Sequence, residues 1–220
     1  CLLAGCSSSS SSASASASAS ASNATKFVVG FDSEYPPYGY VGDDGKYKGF
    51  DLDLAAEVAQ RNGWEFDAQA IDWNAKDSLI EAGTITCLWN GFTMEGRETD
   101  YAFSEPYMNN SQVIMVKAGS DIKTEADLAG KNVLTQAGSA AETLLEDDSA
   151  DGKAALAATF AGGKVNTIAD YTNAVMQLEA GAVDAIACDS SIADYFMAQK
   201  PDTYAVAVTL SSEHYAVGFK

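Results

Sequence analysis

The chain has 220 residues, 47% of them apolar and only 4 of them Pro, which is enough for one large globular domain or two lobes. Its net charge of -18, from 31 acidic against 13 basic side chains, removes the counterion release that drives nucleic-acid binding and so excludes a nucleic-acid partner. An acidic coat of this kind keeps a protein soluble and monomeric.

In chain order, the first six residues, Cys1-Leu2-Leu3-Ala4-Gly5-Cys6, resemble the end of a bacterial lipoprotein signal peptide, in which small residues precede the lipidated cysteine. Residues 1–6 are then a signal remnant, Cys6 is the lipidation site, and the membrane is a partner through the attached lipid. Ser7 to Ser22 contain only Ser and Ala, a composition with almost no apolar area to bury, so residues 7–25 read as a flexible tether. No stretch approaches the roughly 20 apolar residues of a membrane span. With no initiating Met and almost no hydrophobic region, the expectation is a chain truncated at its front.

From residue 26 onward strand and helix signals alternate, the pattern of an α/β protein with mostly parallel sheets. Phe27 to Phe31 is a short apolar strand, and Tyr40 to Tyr47 brackets Asp44-Gly45, a hairpin turn pair. Leu54 and Val58 lie at helical spacing within Phe50 to Arg61, and Gly63 supplies the C-terminal cap. Trp64, Phe66, Ala68 and Ala70 alternate as a strand. A helix over Ala75 to Ala82 ends at Gly83, before a buried strand at Ile85 to Trp89. The run from Leu178 to Ile186 echoes Ile80 to Leu88: a helix closes on Gly and a strand follows. Polar clusters follow both strands, Asn90-Gly91-Phe92-Thr93 and Asp189-Ser190-Ser191, at the carboxyl ends where ligands of open α/β sheets bind.

Arg97 lies four residues past Thr93. A planar guanidinium takes a carboxylate in two parallel charge-assisted hydrogen bonds, and a Thr hydroxyl with loop amides can complete the fork. The competing reading of Arg97 is a surface residue in weak ion pairs with Glu95, Glu98 and Asp100. Ser139 and Glu142 form a Ser-x-x-Glu capping box, and such a helix start offers free amides and partial positive charge to an anion. Asp189, ahead of Ser190-Ser191, reads from the local sequence as a helix N-cap. Cys87 and Cys188 sit in apolar runs as buried small hydrophobes, with a disulfide between them left open. Asp147, Ser149, Asp151 and Gly152 imitate a calcium loop, but Ala158 stands where its closing Glu belongs, so no metal is expected.

Taken as an ordered set, Asp32-Ser33-Glu34-Tyr35-Pro36-Pro37-Tyr38, Gly49-Phe50-Asp51-Leu52-Asp53-Leu54, Thr93 to Tyr107, Asp127-Leu128-Ala129-Gly130-Lys131 and Gly181 to Asp189 resemble the polar amino-acid binding proteins of ABC importers. The resemblance implies an α/β fold, the two-lobed clamshell of type 2 periplasmic binding proteins. Residues 26–114 would form lobe one, 115–212 lobe two and 213–220 the return. The chain would cross near Val113 to Val116 and return near Tyr215 to Phe219. The family adds two helices after the return, so the expectation is a fold truncated at the C-terminus, less stable than one carrying those helices.

The implied function is a lipid-anchored extracytoplasmic lipoprotein that captures a free L-amino acid and delivers it to a permease, with no cofactor and no catalysis. The implied site has Arg97 on the α-carboxylate, helped by the Thr93 amide and hydroxyl and, from lobe two, by the Ser139 and Ala140 amides. Asp189 would take the α-ammonium, with Asn90 and Gly91 adding polar contacts. Tyr35 and Trp73 would sandwich the ligand side chain, and Asp32, Tyr38 and Gln136 would line its far end. Trp89 reads as core. The alternatives are a dehydratase on the same clamshell, such as a cyclohexadienyl or arogenate dehydratase, and an amino-acid sensing domain. The single His, His214, lies in a strand-like run away from this pocket.

Overall fold

The computed structural model describes residues 24–220. The expected lipidation site Cys6 and nearly all of the expected tether lie outside the described residues.

Lobe one opens with β1 (Lys26–Phe31) and a small antiparallel sheet of β2 (Glu34–Tyr35), β3 (Gly39–Val41) and β4 (Tyr47–Lys48). The Asp44-Gly45 turn joins β3 to β4, where Val41 faces Tyr47. Then come α1 (Phe50–Asn62), β5 (Glu65–Ala70), α2 (Lys76–Glu81), β6 (Cys87–Leu88) and β7 (Ala102–Phe103). Helix α1 places Asp51 and Asp53 in its first turn, which suits the positive end of the helix dipole, and Gly63 closes it at φ 67°. Its buried apolar residues are Leu52, Ala55 and Ala59, while Leu54 and Val58 are only partly buried: small alanines let the helix lie close on the sheet.

The expected strand at Ile85 to Trp89 is shorter as a ladder, Cys87–Leu88 alone. Thr86 continues the pairing with Val28: its amide donates to the Val28 carbonyl at 2.7 Å and its hydroxyl accepts the Val28 amide at 3.0 Å.

The crossing strands are β8 (Met108–Asn110) and β14 (Glu213–Tyr215), which pair antiparallel. The expected first crossing at Val113 to Val116 is therefore corrected. Those residues are inside β9 (Gln112–Lys117), where their apolar side chains belong to lobe two's sheet. Lobe two continues with β10 (Val133–Gln136), α3 (Ala140–Glu146), α4 (Ala154–Ala157), β11 (Asn166–Ile168) and α5 (Tyr171–Ala180). It ends with β12 (Ala185–Asp189), α6 (Ser190–Gln199) and β13 (Tyr204–Thr209), and β15 (Gly218–Phe219) rejoins lobe one.

The two main sheets are wired alike. Lobe one runs β5-β1-β6-β15-β7 and lobe two β11-β10-β12-β9-β13. In each, the echoed strand, β6 or β12, sits at the centre between a parallel neighbour and an antiparallel one. Gly83 and Gly181, both near φ 70° (70° and 75°), end the helices that lead into these strands. Cys87 and Cys188 occupy these equivalent central strands, one in each lobe, and both are free and buried.

The lobes are in contact. Tyr35 and Tyr38 from lobe one share an apolar cluster with Tyr171, Val175 and Ile192 of lobe two, and Tyr215 of the return strand packs among them.

Candidate functional site

A narrow cavity of about 10 Å³ lies between the lobes, room for little more than one water. It is lined by Tyr35, Trp73, Asn90, Gly91, Phe92, Thr93 and Arg97 from lobe one and by Gln136, Ser139, Ala140 and Asp189 from lobe two. Ten of the twelve residues expected there meet in this one place. Phe92 joins them, with the Arg97 guanidinium 4.9 Å from its ring centre. Asp32 and Tyr38 are buried beside the cavity but do not line it. Each has a partner: Gln136 donates to the Asp32 carboxylate, and the Tyr38 hydroxyl donates to the Met108 sulfur at 3.0 Å.

Arg97 is 9% exposed, and among the described residues no acid pairs with it, so the surface ion-pair reading does not hold. Glu95 turns instead to His214. The turn that carries Arg97 is built by Gly96, whose φ of 77° brings the Arg97 amide back onto the Met94 carbonyl at 3.1 Å. Nη1 of Arg97 donates to the Thr93 carbonyl at 2.9 Å. The Thr93 hydroxyl, expected to face a ligand, donates to Glu213 Oε1 at 2.7 Å. Burial pushes the Arg97 pKa down, opposed mainly by the charge of Glu213.

The start of α3 also differs from expectation. Ser139 caps the helix, its Oγ accepting the Glu142 amide at 3.1 Å. Glu142 reaches back one residue further than a capping box requires and takes the Gly138 amide at 2.6 Å. The Ser139 amide is engaged by the Gln136 carbonyl at 3.2 Å. Ala140 lines the cavity at the first helical position, where backbone amides have no partner within the helix.

Asp189 stands at the N-cap position of α6, yet its side chain makes no capping bond. Its Oδ1 instead accepts from Asn110 Nδ2 (2.7 Å), Gln112 Nε2 (2.8 Å) and the Tyr215 hydroxyl (2.9 Å). Glu213 Oε1 accepts from the same two amides, each at 2.7 Å. Two buried carboxylates thus share two amide donors at the crossing strands. Burial, then the charge of Asp189, raises the Glu213 pKa to about 7.

Asn110, Gln112, Glu213 and Tyr215 were missed from sequence. Their signal is faint: Asn110 and Gln112 are polar side chains two apart at the start of an apolar strand, hence on one face. Asp51 was missed likewise. Wholly buried, it accepts the Gly91 amide at 2.6 Å and the Tyr107 hydroxyl at 2.8 Å, and burial raises its pKa to about 7. Gly91 has φ 56°, and a Cβ there would stand 3.1 Å from the rings of Tyr35 and Tyr215. Only Gly allows this loop to pass between the two tyrosines. Trp89 lies in the lobe-one core, as expected. Asp147 and Ser149 hydrogen-bond each other in an exposed turn, and the described residues contain no cluster of three metal-ligating side chains.

Residues 27–163 match the model for bacterial extracellular solute-binding proteins, family 3. The chain is 29% identical to the L-cystine-binding protein TcyJ of Escherichia coli K12 over 182 residues, 81% of this chain and 64% of that protein. It therefore spans just under two thirds of that relative's length. A histidine-bound substrate-binding protein of an ABC uptake transporter from Streptococcus pneumoniae superposes with a TM-score of 0.83 at 33% identity, covering 89% of this chain and 79% of that one. Holo ArgBP from T. maritima superposes with a TM-score of 0.75 at 30% identity, covering 89% and 82%. These relatives are described by what they bind and not by a reaction.

Proposed function

Because the chain belongs to the bacterial extracellular solute-binding proteins, family 3, we propose that it captures a free, polar L-amino acid between its lobes and delivers it to the permease of an ABC importer. The observation that carries this reading is that Arg97 of lobe one and Asp189 of lobe two line the same cavity. An amino-acid zwitterion carries the two complementary charges. Its carboxylate meets Arg97 and the Ala140 amide, and its ammonium meets the Asp189 oxygen left over after Oδ1 is saturated by three donors. Tyr35 and Trp73 flank the side chain, and Asp32 and Gln136 stand at its far end.

Since opposite lobes supply the opposite poles, only the shut arrangement makes every bond, and the ligand shifts the opening equilibrium by its differential affinity. The contracted cavity means that entry requires the lobes to part. Lipid on Cys6 and the Ser/Ala tether keep the protein outside the cytoplasm and close to its permease.

Titration calorimetry with each common L-amino acid and with L-cystine tests this. At least one ligand should bind, and Arg97→Ala should weaken it about 100-fold or more, because hydrogen bonds to charged groups contribute about 1.5 to 3 kcal/mol each. Absence of binding by all of them, or an unchanged affinity in Arg97→Ala, overturns the reading.

A further inference from the structure

We infer that Lys76 is a lobe-one side chain that grips lobe two at the edge of the cleft, through the Gly138 carbonyl, in addition to the Asp32–Gln136 bond, and so helps set how long the lobes stay shut. Lys76 opens α2 and is only 5% exposed. A cation so buried is costly unless a partner meets it. Its nearest acid, Asp77, is 3.8 Å away with a side chain 66% exposed, a weak partner. The strong partner is in the other lobe: Nζ donates to the Gly138 carbonyl at 3.0 Å. On the lobe-one side the ammonium sits 5.6 Å from the Trp73 ring centre, a cation–π contact that involves a cavity-lining residue.

The lobe-two side is shaped for this approach. Gly138 has φ 72°, and a Cβ there would lie 3.0 Å from Lys76 Nζ and 3.3 Å from Asn74 Cα. Backbone conformation and close approach both require glycine. Glu142 holds the Gly138 amide at 2.6 Å from behind. Burial and the neighbouring Arg97 charge push the Lys76 pKa down, opposed by the charges of Asp77 and Glu142. Opening the lobes breaks the Nζ to carbonyl bond and leaves the contacts within each lobe intact. Lys76 thus acts on the closed state alone, beside the Arg97 pole.

Two measurements on the full chain test this. The first is small-angle scattering without added ligand, which is independent of any ligand. Lys76→Met should enlarge the radius of gyration, and Lys76→Arg should restore most of the compact value. The second rests on the amino-acid-binding proposal: stopped-flow dissociation of whichever of L-cystine, L-histidine and L-arginine binds. Lys76→Met should release it about tenfold faster with association unchanged, the signature of a lost contact in the closed state. An unchanged or smaller radius, or unchanged or slower release, overturns the inference; slower release would mean that burying the ammonium costs more than its bond returns. If none of the three binds, scattering alone decides. If Lys76→Met does not fold, Gly138→Ala must give the same enlargement, and an unchanged radius there overturns the inference equally.

Discussion

The two charged poles of the cleft are built on opposite plans. At the crossing strands, Asp189 Oδ1 and Glu213 Oε1 are each saturated, by Asn110 and Gln112 together with Tyr215 or Thr93. At the other pole the Arg97 guanidinium makes one hydrogen bond among the described residues, to the carbonyl of Thr93, and rests on the Phe92 ring. It also borders two wider clefts of about 630 and 440 Å³. On the proposed function, the pole at the crossing strands is organised before any ligand arrives, and the outer pole would be completed by the ligand. On that same function, a network that both fixes a charge and joins two lobes would serve stability as well as binding, whereas a loosely held guanidinium would serve binding alone.

The sharpest way to break this comparison is to remove each pole in turn and read melting alongside affinity. Asp189→Ala should weaken amino-acid binding by more than about 100-fold and also cost roughly 2 to 4 kcal/mol of stability, because three buried donors lose an acceptor. Arg97→Met should weaken binding comparably while leaving the melting temperature unchanged or raised, since it relieves a buried charge that has no direct ion-pair partner among the described residues. Equal destabilisation by both variants would show that the outer pole is as structural as the inner one. Next in size is Arg97→Lys, which keeps the charge and loses the fork, and should cost about tenfold in affinity with no change in stability.

Acidity separates the two regions again. Glu213 and Asp51 have pKa values raised to about 7, and Asp32 to about 6, all chiefly by burial. A carboxylate whose folded pKa lies above its unfolded value binds more protons when folded, so it contributes stability below the ordinary carboxylate range and loses it as pH rises through the raised value. Chemical denaturation between pH 5 and 8 should therefore show stability falling as pH rises. Glu213→Gln and Asp51→Asn should each flatten that slope, and Arg97→Met should not. A profile unaffected by either carboxylate variant would contradict the assignment.

What the sequence made legible divides along the same line. The echo of Ile80 to Leu88 in Leu178 to Ile186 carried the central strands of both sheets, because a helix closing on glycine before an apolar strand is a local pattern. Arg97, Trp73, Ser139 and Asp189 were expected in one site because the ordered set of motifs resembles a known family, not because the local residues alone assign them there. The hinge network was legible in neither way. Asn110 and Gln112 lie about 100 residues from Glu213 and gain meaning only when β8 pairs with β14. Thr93 illustrates the limit: its position beside Arg97 was legible, but the diversion of its hydroxyl to Glu213 depends on a strand that returns 120 residues later. Lys76 was equally hidden, since in sequence it is an ordinary first-turn helix residue and its partner is a backbone carbonyl 62 residues on.

The smallest expected effect tests whether the shared wiring of the lobes extends to energetics. Gly83 and Gly181 end equivalent helices with φ of 70° and 75°. A Cβ at Gly83 would meet nothing within 4 Å, and one at Gly181 would meet only the tip of Lys117 at 3.8 Å. Neither position is crowded, so alanine at either should cost only the left-handed backbone penalty, about 1 kcal/mol. Urea melts of Gly83→Ala and Gly181→Ala should therefore shift by nearly the same amount. If the Gly181→Ala shift is much the larger, the likeness is one of chain path only, and lobe two depends on its helix end in a way that lobe one does not. That would follow if β12, which carries Asp189 at its end, tolerates less displacement than β6, which leads into the Asn90-Gly91 loop held from outside by Asp51.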